Sequence, residues 1–126
     1  MTTSYSPEAD EQPDPGEVVW SWVPYEDDPS QGKDRPVLVI GRDGEDLLCL
    51  QLTSKDHDRD VEDEARHGRQ WMDVGNGDWD RERRDSEVRL DRLLRLRAAE
   101  IRREGAAMGR AMFDAVVVAA RAHHSL

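Results

Sequence analysis

Two apolar segments near the middle of the chain are separated by a short polar segment. The apolar segments are residues 37–40 and 47–52, and the six residues between them comprise two glycines and four charged side chains. Apolar runs of this length on either side of a glycine-bearing turn are typical of two antiparallel strands. The pattern therefore predicts a β-hairpin at the centre of the chain.

Polar residues lie where this hairpin opens. Arg35 precedes the first strand and Thr53 follows the second, so antiparallel pairing would bring the two side chains to one end of the sheet. A guanidinium donates to two phosphate oxygens at once, and a neighbouring hydroxyl supplies a further donor. The open end of the hairpin is therefore a candidate phosphate-binding site.

Three further segments are predicted to be strands from their alternation. Residues 16–23 place Val19 and Ser21 on one face, residues 70–74 form a short strand, and residues 86–91 alternate strictly. In residues 86–91 the period of two puts a basic and an acidic side chain, those of Arg89 and Asp91, on one face. There they can form an ion pair or act together on a ligand.

The last third of the chain ends in a predicted helix. Residues 93–96 are predicted to form a turn or short helix, and residues 98–103 a last strand that ends before Gly105. From residue 106 to residue 122 apolar side chains recur every three to five positions, which predicts one face of an amphipathic helix. Together the elements predict a small, mostly β domain with a C-terminal helix.

Three polar segments complete the predicted organisation. Residues 1–15 lack apolar periodicity and are predicted to be a disordered acidic tail, which leaves residues 16–126 as the folded domain. Residues 24–34 are predicted to be a long polar loop, and residues 56–69 a loop or a frayed helical turn. The 126-residue length fits one domain with a single modest core.

The charge of the chain is acidic and unevenly distributed. The formal net charge is −10, yet residues 1–80 hold 7 basic and 21 acidic side chains, whereas residues 81–126 hold 11 and 7. Such a net charge repels nucleic acid at long range, so any nucleic-acid site on this chain must be a local basic patch.

The remaining composition narrows the class of protein. No apolar run approaches the ~20 residues of a membrane span, and the N-terminus has no secretory signal region, so we expect a cytoplasmic protein.

The single cysteine, Cys49, lies in an apolar run and is expected to be a small buried hydrophobic residue. The acids and histidine of residues 56–60 could suggest a metal site, but no second ligand cluster completes a set, so we predict none. His123 and His124 are neighbours near the terminus, and no role is assigned to them.

Three stretches of the sequence resemble one known family. They are GEVVW at residues 16–20, RPVLVI at residues 35–40 and LCLQLTS at residues 48–54. These stretches resemble the PemK/MazF toxins of bacterial type II toxin–antitoxin systems, which are small SH3-like barrels that cut RNA. The resemblance implies a homodimer supported by the terminal helix, an antitoxin partner, and a loop before Arg35 that lies over the active site.

The resemblance also implies a reaction. Single-stranded RNA would be cut without metal or cofactor, through its 2′-hydroxyl, to give a 2′,3′-cyclic phosphate and a 5′-hydroxyl. Arg35 would neutralise the developing charge and Thr53 would hold a phosphate oxygen. Arg89 and Asp91 match an Arg-x-Asp that contributes to catalysis in Kid/PemK members. The proton acceptor could be Asp91, or Arg35 could take more of the proton transfer as in MazF; the sequence does not choose between them.

Five further residues are candidates for RNA binding. Aromatic rings can stack on unpaired bases, although for Trp79 packing in the core is the favoured alternative. The candidates are Ser54, Lys55, Trp22, Tyr25 and Trp79.

Two other interpretations remain open. The acidic charge favours a non-catalytic binding module of the same fold that grips a protein partner, as CcdB relatives do, or an inactive toxin relative. A structural SH3-like domain without a site would require the polar groups at the strand ends to be coincidental.

Overall fold

The computed structural model describes residues 2–3, 5, 14–54 and 70–124. Seven strands are present in these ranges: β1 (Thr2–Thr3), β2 (Glu17–Pro24), β3 (Gly32–Asp43), β4 (Asp46–Ser54), β5 (Trp71–Gly75), β6 (Ser86–Arg97) and β7 (Ile101–Ala107). A 3₁₀ turn, Ala98–Glu100, connects β6 to β7, and the helix α1 (Arg110–Ala120) follows β7.

The strands form one antiparallel sheet. Its order is β5-β6-β4-β3-β2-β7, and β1 pairs with the far end of β3 beyond the segment that pairs with β2. The sheet curls into a half-barrel with the helix packed on one side. The predicted fold, a small mostly β barrel with a C-terminal helix, is thereby confirmed.

The central hairpin follows the predicted pattern. Asp43 pairs with Asp46 across a two-residue turn, and Gly44 adopts a φ of 63°, a left-handed conformation that glycine tolerates best. The first strand of this hairpin, β3, is longer than predicted. It begins at Gly32, which pairs with Pro24 of β2. The loop before it is correspondingly short, at residues 25–31.

Two apolar clusters lie on opposite faces of the sheet because neighbouring residues of a strand point in opposite directions. The larger lies beneath the helix and includes Leu38, Leu50, Val88, Phe113 and Val116. The smaller, on the other face, includes Val19, Val37, Val39, Cys49, Leu94 and Leu96.

Three predicted boundaries in the last third were wrong. Residues 93–96 belong to β6, since Leu94 and Leu96 are buried while Arg95 and Arg97 are exposed, an alternation of period two. The last strand starts at Ile101, after the 3₁₀ turn, and continues through residue 105 to Ala107 because Ala106 pairs with Val18. The helix accordingly begins only at Arg110.

The N-terminal segment also departs from the prediction. Thr2–Thr3 pair with β3, and Tyr5 packs its ring 5.1 Å from that of Phe113 and donates a 2.6 Å hydrogen bond to the carbonyl of Met108. These residues are not part of a disordered tail. Residues 6–13, for which disorder was also predicted, lie outside the described residues.

Substitution of Gly77 tests the packing of Trp79 beside β6. A Cβ at this position would lie 2.3 Å from the buried indole of Trp79. We expect Gly77→Ala to reduce the free energy of unfolding by about 1–3 kcal/mol, because the ring cannot move without disturbing the core. Urea unfolding measures the change.

The matched control is Gly109→Ala, where an added Cβ meets no atom within 4 Å. Its loss should stay below about 1 kcal/mol, the scale of a changed helix N-cap. Equal losses in the two variants would contradict the packing argument.

Candidate functional site

The face of the sheet that carries the smaller cluster becomes polar towards one end. Two positions beyond the buried Val37 and Cys49, the side chains on this face are those of Arg35 and Gln51. Val37 pairs with Gln51, and continuing this register by two residues sets Arg35 opposite Thr53. The antiparallel ladder thus brings the guanidinium and the hydroxyl to the same end of the sheet.

Arg35 lies between two clefts. With Thr53 it lines a cleft of about 210 Å³, here called the threonine cleft, which also contains Lys33, Asp80 and Arg84 beside apolar surface from Trp20, Pro36 and Leu52. With Arg89 it lines a second cleft of about 130 Å³, here called the arginine cleft. That cleft is lined by Pro24, Tyr25, Glu26, Asp27, Arg35, Gln51, Arg89 and Arg92.

Arg35 has no internal anion. Throughout the described parts of the chain its side chain forms no hydrogen bond or ion pair. A guanidinium carries five N–H donors and stays charged, so these donors are available to a ligand from either cleft.

A wide bulge in β6 forms one wall of the arginine cleft. Leu50 of β4 pairs with Leu93, whereas Leu52 pairs with Val88, so a step of two residues along β4 spans five along β6. Such bulges bend a strand and redirect its side chains. The displaced residues 89–92 include both arginines of β6 that line the cleft.

Three hydrogen bonds hold this bulge. The N–H of Leu90 donates to the carbonyl of Gln70 at 2.9 Å, and the N–H of Gln70 donates to Oδ1 of Asp91 at 3.2 Å. His124 Nε2 lies 2.9 Å from the carbonyl of Leu90, which can only accept, so this nitrogen carries the proton. A histidine to which the sequence assigned no role therefore steadies the strand that carries Arg89.

Arg89 and Asp91 form an ion pair. Nε of Arg89 donates to Oδ1 of Asp91 at 2.9 Å, and one terminal nitrogen lies 3.4 Å from Oδ2. Burial, the largest effect, raises the pKa of Asp91, but hydrogen bonds from Arg89 and the Gln70 N–H together outweigh it and leave the pKa lowered. Asp91 is therefore ionised at neutral pH.

Glu26 provides a second anion for Arg89. Its Oε2 accepts a 2.7 Å hydrogen bond from a terminal nitrogen of Arg89 and lies 3.9 Å from Nε of Arg92. Burial lowers the pKa of Arg89, but the hydrogen bonds and charges of Asp91 and Glu26 more than compensate and raise it. The loop before β3 thus reaches the arginines of β6.

One family model matches this chain over residues 14–123. Its description is PemK-like, MazF-like toxin of a type II toxin–antitoxin system. The chain belongs to this family. The match begins just before β2 and ends after the helix, and it confirms the family proposed from the sequence. Toxins of the family are generally endoribonucleases and have an antitoxin partner. No curated protein matches the chain.

The aromatic candidates of this PemK/MazF toxin differ in exposure. Trp22 is 52% exposed and Tyr25 is 37% exposed, and Tyr25 lines the arginine cleft. Trp79 is only 6% exposed and its Nε1 lies 3.4 Å from Oγ of Ser86, which fits the packing alternative rather than base stacking. Ser54 continues β4 beyond Thr53, whereas Lys55 lies outside the described residues.

Sequence reasoning missed several residues of the two clefts. Gln51 could have been found, since it is the one polar position within the apolar run 47–52. Arg92 and Glu26 could not, because their approach depends on the bulge and on a loop that is distant in sequence.

Other predictions concern metals, thiols and membranes. The described residues contain no group of three or more metal-ligating side chains, and residues 56–60 lie outside them. Cys49 is buried as predicted, and burial raises its pKa to about 12, so its thiol stays protonated. Over the part of the chain that is described, no helix has the length and apolar character to cross a membrane.

The ion pair of Asp91 predicts a pH-dependent stability. We expect Asp91→Asn to lower the free energy of unfolding by about 1–3 kcal/mol at neutral pH, because buried Arg89 loses a charged acceptor. The folded-state pKa is lowered, so this contribution is present above the ordinary carboxyl pKa and is lost as the pH falls through the lowered value.

Urea unfolding from about pH 3 to pH 8 should show a constant gap between wild type and variant at the upper end, shrinking below about pH 4. Asp27→Asn is the control, since that exposed carboxylate forms no hydrogen bond or ion pair within the described residues. A gap of unchanged size at pH 3 would count against the ion pair.

Proposed function

We propose that this toxin is an endoribonuclease that cleaves single-stranded RNA without metal. A 2′-hydroxyl attacks the adjacent phosphorus, so that the O2′–P bond forms and the P–O5′ bond breaks. The 2′-hydroxyl gives up its proton as it attacks and the 5′ oxygen takes up one proton as it leaves, so no proton is consumed overall, and the products carry a 2′,3′-cyclic phosphate and a 5′-hydroxyl. The observation that carries the proposal is Arg35, a cation without an internal partner among the described residues, at the junction of two clefts and beside Thr53.

Arg35 and Thr53 would bind the phosphate that is cut. The planar guanidinium can donate to both non-bridging oxygens, and the hydroxyl of Thr53 can supply a third donor. The negative charge on these oxygens grows in the phosphorane-like transition state, so donors fixed beforehand stabilise it more than the ground state.

Arg89 and Asp91 would act beside this phosphate. Arg89 lines the arginine cleft together with Arg35, and its orientation is fixed by Asp91. A carboxylate whose pKa is lowered accepts a proton poorly at neutral pH. We therefore assign Asp91 to positioning Arg89 rather than to taking the 2′-hydroxyl proton.

RNA would cross both clefts, with its phosphates at Arg35. Trp22 and Tyr25 are exposed enough to stack on unpaired bases, and Ser54 and Lys55 follow Thr53 directly along the chain. We further propose that the toxin is a cytoplasmic homodimer and that its antitoxin blocks this surface.

A second candidate function is favoured by the net charge of −10. An acidic surface suits a non-catalytic module that binds a basic protein partner, in the manner of CcdB relatives, better than it suits RNA. This alternative predicts no RNA cleavage under any of the conditions below.

The first test substitutes Arg35. We expect Arg35→Ala to reduce cleavage of an unstructured RNA by about 10²–10³-fold, the usual loss for one transition-state donor. The assay contains EDTA, and product ends are identified by mass spectrometry as cyclic phosphate and 5′-hydroxyl. An RNA with 2′-deoxy substitution throughout should remain intact.

Lys33→Ala is the matched control, because Lys33 lies on the same strand, lines the threonine cleft and carries the same charge. Its effect should stay below about fivefold, as expected for a surface cation. Equal losses in both variants, or cleavage that is indifferent to Arg35→Ala, would contradict the proposal.

The second test concerns Asp91. If Asp91 positions Arg89, Asp91→Asn should lower kcat while the slope of log kcat against pH between about pH 6 and pH 8 stays that of the wild type. Single-turnover cleavage rates across this range measure the slope. A variant that acquires a different slope would indicate that Asp91 takes the proton.

A further inference from the structure

The arginine cleft contains an anion supplied by the protein itself. Glu26 lies on the loop at residues 25–31, and its carboxylate contacts the guanidinium of Arg89 at 2.7 Å and approaches that of Arg92 at 3.9 Å. A phosphate oxygen would form the same charge-assisted hydrogen bonds with the same nitrogen atoms. The carboxylate therefore marks a position in which an anion is favourable.

The two carboxylates that contact Arg89 are not equally fixed. Asp91 lies on β6, accepts hydrogen bonds from Arg89 and from the N–H of Gln70, and has a side chain that is 22% exposed. The side chain of Glu26 is 47% exposed. Asp91 is thus held on the strand, whereas the carboxylate of Glu26 can leave Arg89 and be replaced by solvent.

The loop that carries Glu26 can open at little cost. All its residues, 25–31, are exposed, so its displacement uncovers little apolar surface. Its base is closed by a 2.9 Å hydrogen bond from the N–H of Tyr25 to the carbonyl of Gln31, and Arg92 donates to the carbonyl of Pro24 just before it. The carboxylate of Glu26 can therefore swing away while the base of the loop stays in place.

Among the described residues that line the arginine cleft or contact its arginines, positive and negative charges are equal in number while Glu26 is present. Arg35, Arg89 and Arg92 face Glu26 and Asp27 across the cleft, and Asp91 contacts Arg89 from its own strand. Within this described set, removing the Glu26 carboxylate leaves three cations with two anions, an imbalance that one phosphate would correct.

We propose that the arginine cleft is a second phosphate subsite of the RNA groove, next to the phosphate at Arg35, and that Glu26 occupies it as an internal anion until RNA displaces it. This inference rests on the proposed function, because it takes RNA as the ligand. It adds Arg92 to the residues that bind RNA and makes Glu26 an internal competitor of the substrate.

The experiment compares Glu26→Gln with Asp27→Asn. Both variants remove one negative charge from neighbouring positions that line the same cleft, but only Glu26 forms an ion pair with the arginines. Long-range electrostatics are therefore nearly equal in the two proteins, and a difference between them reports the contact itself. The side chain of Glu26 is about half exposed and Asp27 is exposed, so both variants should fold.

Two probes are used with the full chain. The first is inorganic pyrophosphate, whose dissociation constant is measured by isothermal titration calorimetry. The second is a fluorescently labelled single-stranded 2′-O-methyl oligonucleotide pool of mixed sequence, which cannot be cleaved and is followed by fluorescence anisotropy. For each probe we expect Glu26→Gln to bind about two- to fivefold tighter than wild type, the change that corresponds to one partly exposed ion pair, and Asp27→Asn less than about 1.5-fold tighter.

Equal affinities of Glu26→Gln and Asp27→Asn for both probes would overturn the inference, and so would weaker binding by Glu26→Gln. Neither result would contradict the proposed function, provided that the wild-type protein still cleaves RNA and that Arg35→Ala reduces this cleavage. Conversely, tighter pyrophosphate binding by Glu26→Gln without any RNA cleavage or oligonucleotide binding would retain the anion subsite and reject RNA as its ligand, which overturns the inference as stated.

Discussion

The region around the clefts depends on one nearly buried cation. Arg89 is 5% exposed, and a guanidinium cannot lose its proton to avoid the cost of burial. Anions must therefore accompany it, and Asp91 and Glu26 do so from its own strand and from the loop at residues 25–31. This requirement connects β6 to a loop more than sixty positions earlier in the chain, and it explains why a loop without buried residues still has a defined place over the sheet.

The bulge in β6 makes this arrangement possible. Arg89 and Arg92 are three positions apart, so a regular strand would send them to opposite faces of the sheet. The extra residues between the pairs Leu52–Val88 and Leu50–Leu93 bend the strand, and both arginines line one cleft. The local loss of ladder hydrogen bonds is compensated from outside the β4–β6 pair, since the backbone of Leu90 bonds to Gln70 and to the ring of His124. The C-terminal segment thus supports the cleft from a distance.

The parts of the structure that follow from local rules could be predicted from the sequence. A glycine turn and two apolar runs predict the pairing of β3 with β4, although the bulge between Val39 and Gly41 shifts the register by one residue and was not predicted. Extending the observed Val37–Gln51 pair by two residues sets Arg35 opposite Thr53. The remainder depends on tertiary contacts. The sequence after residue 92 fits a turn as well as a strand until the smaller cluster buries Leu94 and Leu96, and the approach of Glu26 to Arg89 follows from a bulge that no local pattern announces. Gln51, by contrast, was visible as a polar position in a buried run.

The acidic net charge and a site for RNA are compatible because they act over different distances. At physiological ionic strength exposed charges farther away than about 8 Å are largely screened, so most of the carboxylates slow the encounter with RNA rather than weaken the docked complex. At short range, the attraction for a phosphate depends on how many nearby cations lack a firmly held anion of the protein. Arg35 has no internal partner within the described residues, while Arg89 and Arg92 share an anion that is half exposed. If RNA displaces Glu26 as proposed, the affinity of the groove would depend on how readily this carboxylate leaves Arg89, and not on the overall charge alone.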